Sequence, residues 1–154
     1  MRSLRIRQDL PKIMEIERTF PKKNRWLESA FLDRPGMPTV VTCVEPSPMD
    51  SQEILGYAVY QPCVESIELL RLVVAKKYRR QGLGRRMLAH FKQRINPQSC
   101  PTLSFWVPET NLPAHLFLKA CGFKAVSIAH SIGNTNRPDD YVFEYNLFSG
   151  MMAA

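Results

Sequence analysis

The segment Arg79-Arg80-Gln81-Gly82-Leu83-Gly84 constrains this chain more than any other. It follows an apolar, β-branched run, Leu69-Leu70-Arg71-Leu72-Val73-Val74. It opens a stretch in which Leu83, Met87, Leu88, Phe91 and Ile95 recur at helical spacing. A strand, a basic glycine turn and a helix start together predict an anion-binding arrangement. The first N–H groups of a helix lack intrahelical partners, point at one spot and carry the positive end of the dipole. Glycines let that backbone approach a pyrophosphate closely. Arg79, Arg80 and Arg85 add charge and forked donors.

Two other phosphate readings fail on spacing. No Gly-x-x-x-x-Gly-Lys-Ser/Thr run exists, and Met87 stands where a dinucleotide fingerprint needs its third glycine. The bland alternative is a tight strand–helix turn with a solvated basic face. Net charge is +7, and Lys76, Lys77, Arg79, Arg80, Arg85 and Arg86 crowd around the turn. Only Tyr78 interleaves with them, so a base-stacking platform for nucleic acid is disfavoured. A compact polyphosphate explains the clustering better.

A chain of 154 residues suggests one domain, read here as residues 1–148 with a loose tail over 149–154. Hydrophobic residues at 45% and charged residues at 23% give a globular balance. No apolar run approaches the ~18 residues that span a bilayer. Met1-Arg2-Ser3-Leu4-Arg5 lacks a signal-peptide core. Cys43, Cys63, Cys100 and Cys121 form no Cys-x-x-Cys pair and no ligand spacing with His90, His115 or His130. The expectation is no metal, buried or half-buried free thiols, and a cytoplasmic setting.

Patterning predicts a first strand over 4–7 and a helix with Asp9 as N-cap, running to Pro21. A second helix follows from Asn24, with Trp26, Leu27, Ala30 and Phe31 inward, ending at Arg34-Pro35-Gly36. Strands are expected over 39–44, 54–61 and 66–74, with a loop over 45–52 and Gly56 as a bulge. The turn helix ends at Asn96-Pro97, and a strand covers 102–107. Asn111 caps a helix with Pro113 in its first turn and Gly122 closing it left-handed. Strands over 123–128 and 141–147 flank a polar loop, 133–140.

This order of elements resembles the GNAT N-acetyltransferase superfamily. Three local matches carry the likeness. Leu72-Val73-Val74 falls where family members hold the pantetheine arm through backbone groups. Arg79 to Arg85 fits the pyrophosphate turn. Asn111-Leu112-Pro113-Ala114 with Gly122-Phe123 fits the Asn-x-x-Ala…Gly-Phe pattern. The stretch Ile16-Glu17…Phe20-Pro21…Trp26…Phe31 resembles the ribosomal-protein-alanine N-acetyltransferase branch. The resemblance implies a mixed α+β (α/β) fold with a central, mostly antiparallel sheet and helices on both faces. It implies acetyl-coenzyme A as co-substrate. The cofactor-binding set is Leu72, Val73, Val74, Arg79, Arg80, Gln81, Gly82, Leu83, Gly84, Arg85 and Asn111. It implies acetyl transfer to a primary amine, with a protein or peptide N-terminal amine as the leading acceptor. A small-amine acetyltransferase and a non-catalytic acyl-coenzyme A-binding module are the alternatives. The chain is expected as a monomer or homodimer, away from membranes.

The attacking amine must be neutral, so a base is useful, and the thioester oxyanion needs a donor. Two usual positions of the family are apolar here. Leu118 stands seven residues after Asn111 in place of tyrosine, and Trp106 five residues before it in place of Glu or His. A thiol pKa near ~8.5 leaves thiolate departure feasible without an acid. Glu68 matches the base of histone-type members and is the catalytic candidate, with burial expected to raise its pKa. Its bland reading is a carboxylate paired with Arg71 or another cation. Glu109 reads as an exposed loop carboxylate, and His115 as a weak candidate one turn past Asn111. Cys121 reads as core, and Tyr141 and Tyr145 as groove or solvent residues.

Overall fold

Alternating apolar side chains lay down the strands and 3.6-residue stripes the helices. The computed structural model describes residues 1–32, 36, 39–130 and 138–148. Among them are β1 (Arg2–Ser3), α1 (Ile6–Arg18), β2 (Val41–Pro46), β3 (Ile54–Pro62) and β4 (Ser66–Val74). α2 (Leu83–Lys92), β5 (Thr102–Pro108), α3 (Leu112–Ala120), β6 (Lys124–Ala129) and β7 (Asp140–Asn146) follow. The class is mixed α+β, and the sheet is mostly antiparallel. β4 and β5 pair in parallel, whereas β1–β2, β2–β3, β5–β7 and β6–β7 pair antiparallel.

The chain divides into two compact units, Met1–Pro62 with Leu70–His90, and Cys63–Leu69 with Phe91–Ala154. β4 contributes its second half to the first unit and its first half to the second.

In the first unit the strand order is β1-β2-β3-β4. Leu10 and Ile13 of α1 pack with Val44, Ile54, Tyr57, Val59, Val73 and Phe31 in one buried cluster. Each such side chain is worth ~1.5–3 kcal/mol of burial. Successive strand residues face opposite ways, so Gly56 lies on the face away from Tyr57. A Cβ there would collide with the Val73 carbonyl oxygen and lie 3.3 Å from Met87 Sδ of α2. Helices therefore cover both faces of this unit. The bulge expected at Gly56 lies one residue earlier: Glu45 pairs with Gly56 and Pro46 with Ile54, leaving Leu55 as the extra residue.

In the second unit the order is β4-β5-β7-β6. Leu103, Val107 and Phe143 are buried on one face, where α3 packs through Leu118 and His115. α3 begins as expected, with Asn111 Oδ1 accepting from the Ala114 N–H, and Gly122 follows it at φ +86°.

Four expectations are corrected. The first strand covers only Arg2–Ser3, and α1 already starts at Ile6. Arg5 is the N-cap, and Asp9 accepts the Arg5 N–H at 2.7 Å from inside the helix rather than capping it from outside. The second helix is replaced by two 3₁₀ turns, Lys22–Asn24 and Glu28–Phe31. Its backbone is diverted, because the Trp26 N–H goes to Glu17 Oε2 at 2.6 Å and Arg25 and Leu27 are extended. α2 ends at Lys92, short of Asn96, though Ile95 remains buried. Arg34, Pro35, residues 133–137 of the polar loop and the tail from 149 lie outside the described residues.

Candidate active site

The first unit builds the basic turn. β4 ends at Val74, a short 3₁₀ turn covers Lys76–Tyr78, and α2 starts at Leu83. Arg80 takes φ +63° and Gly82 φ +79°. Two left-handed residues so close together curl the backbone and point successive N–H groups inward, a shape suited to an anion. The first helical bond runs from the Arg86 N–H to Gly82 O at 3.1 Å, so the N–H groups before it face out of the helix end. A Cβ on Gly82 would meet nothing within 4 Å. Gly82 thus borders open space.

The surrounding cations are not equivalent. Arg79 Nε donates to Val74 O at 3.0 Å, and its guanidinium lies 5.7 Å from the Phe20 ring centroid. That side chain ties the turn to β4. Arg86 pairs with Glu45 at 2.7 Å and Lys77 with Glu53 at 2.7 Å. The Glu53 hydrogen bond raises the Lys77 ammonium above its usual range, and Lys77 and the Tyr78 hydroxyl lower the Glu53 carboxyl. Lys76 and Arg80 are exposed and form no ion pair among the described residues. Gln81 is exposed, Leu83 buried, and Leu72 and Val74 half-buried on either side of buried Val73. A cleft of about 660 Å³ lies beside Lys76 and Lys77, lined also by Lys12, Glu15, Asp50 and Glu53. Its charges balance, so it attracts a polyphosphate less than the turn does.

Below the turn lies a buried network that sequence reasoning missed. Glu17, 1% exposed, accepts from Arg71 Nε and Nη2 at 2.9 Å each, from the Tyr57 hydroxyl and from the Trp26 N–H. Burial and the Glu17 hydrogen bond push the Tyr57 phenol well up. Arg71 is also 5.0 Å from the Trp26 ring centroid. The available signal was a glutamate at the inward helical spacing of Leu10 and Ile13.

The second unit holds the catalytic candidate. Glu68 is half-buried in β4 and registers with Ser104 of β5. It forms no ion pair among the described residues, and Arg71, its expected bland partner, is engaged by Glu17. Trp106 is 48% exposed. His115 Nε2 donates to Pro108 O at 2.9 Å and packs on Tyr141 and Phe143, which gives it a structural role. Tyr145 packs on Phe123. Cys121 is buried at the end of α3, as expected, and Glu109 is exposed. Cys43 is likewise buried, but Cys63 is exposed, contrary to the expectation of buried thiols. No cluster of metal-ligating side chains exists among the described residues. No described helix is long and apolar enough to cross a membrane.

Residues 5–123 match the acetyltransferase (GNAT) family, and the chain belongs to that family. It is an acetyl-coenzyme A-dependent N-acetyltransferase, with acetyl-coenzyme A as co-substrate. No curated protein matches the chain by sequence. Among solved structures it is similar to the Escherichia coli ribosomal-protein-S18-alanine N-acetyltransferase, at 25% identity and a TM-score of 0.71, covering 94% of this chain and 91% of that one. Arabidopsis thaliana NAA60 in complex with acetyl-coenzyme A gives 18% identity and a TM-score of 0.71, covering 90% and 94%. A spermidine N-acetyltransferase chimera from Vibrio cholerae and hSSAT gives 14% and 0.71, covering 97% and 98%.

Proposed function

We propose that this chain acetylates the N-terminal amine of a protein or peptide, with residues 1–148 acting as one catalytic domain. The observation that carries the acceptor class is the likeness to the S18-alanine N-acetyltransferase across nearly the whole of both chains. The pyrophosphate of the co-substrate is assigned to the turn from Arg80 to Arg85, where backbone curl, open space at Gly82 and an exposed Arg80 coincide. Leu72, Val73 and Val74 take the pantetheine arm through backbone groups. Asn111 caps α3, a role worth ~1 kcal/mol. Arg79 supports the turn through Val74 rather than by contacting phosphate.

Glu68 accepts the proton from the ammonium, directly or through water, leaving a neutral amine. The amine nitrogen attacks the thioester carbonyl carbon. The carbon–sulfur bond breaks and the thiolate leaves with the electron pair, taking directly or through water the second proton that the nitrogen sheds as the amide forms. Backbone N–H groups at the end of β4 serve the developing oxyanion. A cytoplasmic setting fits the four cysteines, none of which is in a disulfide.

A panel of peptides and small amines, followed by mass spectrometry, tests the reading. Acetylated peptide N-termini are expected. Product confined to small amines would favour the second reading, which the spermidine-acetyltransferase likeness supports. Binding of acetyl-coenzyme A with no product from any amine would point to a non-catalytic module.

A further inference from the structure

One sheet face of the second unit carries no helix of that unit among the described residues. α3 and the end of α2 lie on the other face, where His115 packs on Phe143 and the Lys92 ammonium sits 4.0 Å from the Tyr145 ring centroid. On the open face the registers align three side chains in a row. Glu68 pairs with Ser104, and Ser104 pairs with Glu144 of β7. Strands are ~4.8 Å apart, so the two glutamates stand roughly 10 Å apart at the backbone, with Ser104 between them.

The adjacent row closes on itself. Asn146 Nδ2 donates to Thr102 Oγ1 at 2.9 Å. The Ser104 row does not. Ser104, between the two glutamates, is only 9% exposed. Glu68 and Glu144 are half-buried and form no ion pair among the described residues. Lys124 registers with Glu144 but is not within ion-pair distance of it. Two half-buried carboxylates without an ion pair among the described residues leave a negatively charged row on this face, which a cationic ligand complements. Trp106, next along the same face of β5 and 48% exposed, offers a flat apolar and cation-attracting surface.

The geometry points to Glu144 as a specificity residue for an acceptor peptide with lysine or arginine at its first or second position. This rests on the peptide-acceptor reading above. The acceptor amine lies at Glu68. The second cation reaches Glu144, with the Ser104 hydroxyl orienting the segment between. A lysine at the second residue sets its ammonium roughly 8–10 Å from the N-terminal amine, which matches the two-strand spacing. The two-strand spacing exceeds the reach of a four-carbon diamine, so it suits an extended peptide better.

The test compares two pentapeptides that begin with alanine and carry lysine or uncharged norleucine second. For the full chain, the lysine peptide should show a KM at least about tenfold lower with kcat within about twofold. E144Q should collapse that ratio toward one. Equal KM values in the unaltered chain, or a ratio that survives in E144Q, would overturn the inference. So would 1,4-diaminobutane outcompeting the lysine peptide at equal concentration. If neither peptide is acetylated, the peptide-acceptor reading fails by itself. NMR titration of both peptides then reads the face directly, and equal affinities there would overturn Glu144 selection.

Discussion

Arg71 of β4 forks onto Glu17 of α1, with Nε and Nη2 each 2.9 Å from a carboxylate oxygen, and the carboxylate is 1% exposed. The same carboxylate fixes the Trp26 backbone, so one buried charge sets both the strand–helix docking and the path of the chain after α1. Removing one partner of such a pair leaves a charge without compensation.

Glu17→Ala is therefore expected to cost ~3–5 kcal/mol. Urea unfolding followed by circular dichroism measures it. A loss below about 1 kcal/mol would show that water replaces the carboxylate, which is the outcome typical of an exposed pair.

The turn makes a prediction that separates its arginines. Gly82→Val forces a β-branched residue into φ +79° and fills the open space beside it. Calorimetric titration should show most of the acetyl-coenzyme A affinity lost. Arg80→Ala should weaken binding about tenfold or more, whereas Arg86→Ala, whose guanidinium already serves Glu45, should weaken it less. The reverse order would move the phosphate away from Arg80.

Glu68→Gln keeps shape but accepts no proton. Turnover on a peptide acceptor should fall about 10²–10⁴-fold at neutral pH. The deficit should shrink as pH rises past the α-amino pKa of ~7.7–8.0, where the amine loses its proton unaided. Parallel pH–rate profiles less than threefold apart would leave proton removal to solvent.

Asp9 predicts an acid limb of stability. Burial alone would raise its pKa, but the Arg2 side-chain bonds at 2.6 and 2.9 Å, the Arg5 N–H and both positive charges outweigh burial and lower it. The contribution is thus fully present above the unfolded value of ~3.9 and disappears as pH falls through the lower folded value. Asp9→Asn should lose stability at pH 7, and its deficit should narrow below about pH 4. A deficit constant from pH 7 to pH 2 would mean that packing, not charge, is what Asp9 supplies.

β3, β4 and the start of α2 were legible in the sequence because their periodicity is local. Residues 20–31 were not, because the Trp26 amide answers to Glu17, a side chain on another element. The start of α1 was misplaced for the same kind of reason: Asp9 serves the backbone of Arg5 from within the helix. The glycine turn was legible as backbone. Its division of labour was not, since Arg86 meets Glu45 and Lys77 meets Glu53 only once the β2–β3 hairpin is folded. Glu68 was visible as an acid in an apolar strand. Its alignment with Ser104 and Glu144 depends on the registers of three strands, which no local pattern specifies.

The chain's two tryptophans fall one to each unit. Trp26 is half-buried, 5.0 Å from the Arg71 guanidinium and 5.8 Å from the Phe31 ring, whereas Trp106 is 48% exposed on an open strand face. Intrinsic fluorescence is thereby divided into two channels. A quencher such as acrylamide should reach Trp106 first, and Trp106→Phe should leave emission that reports on the first unit alone. Unfolding of each unit can then be timed without a label.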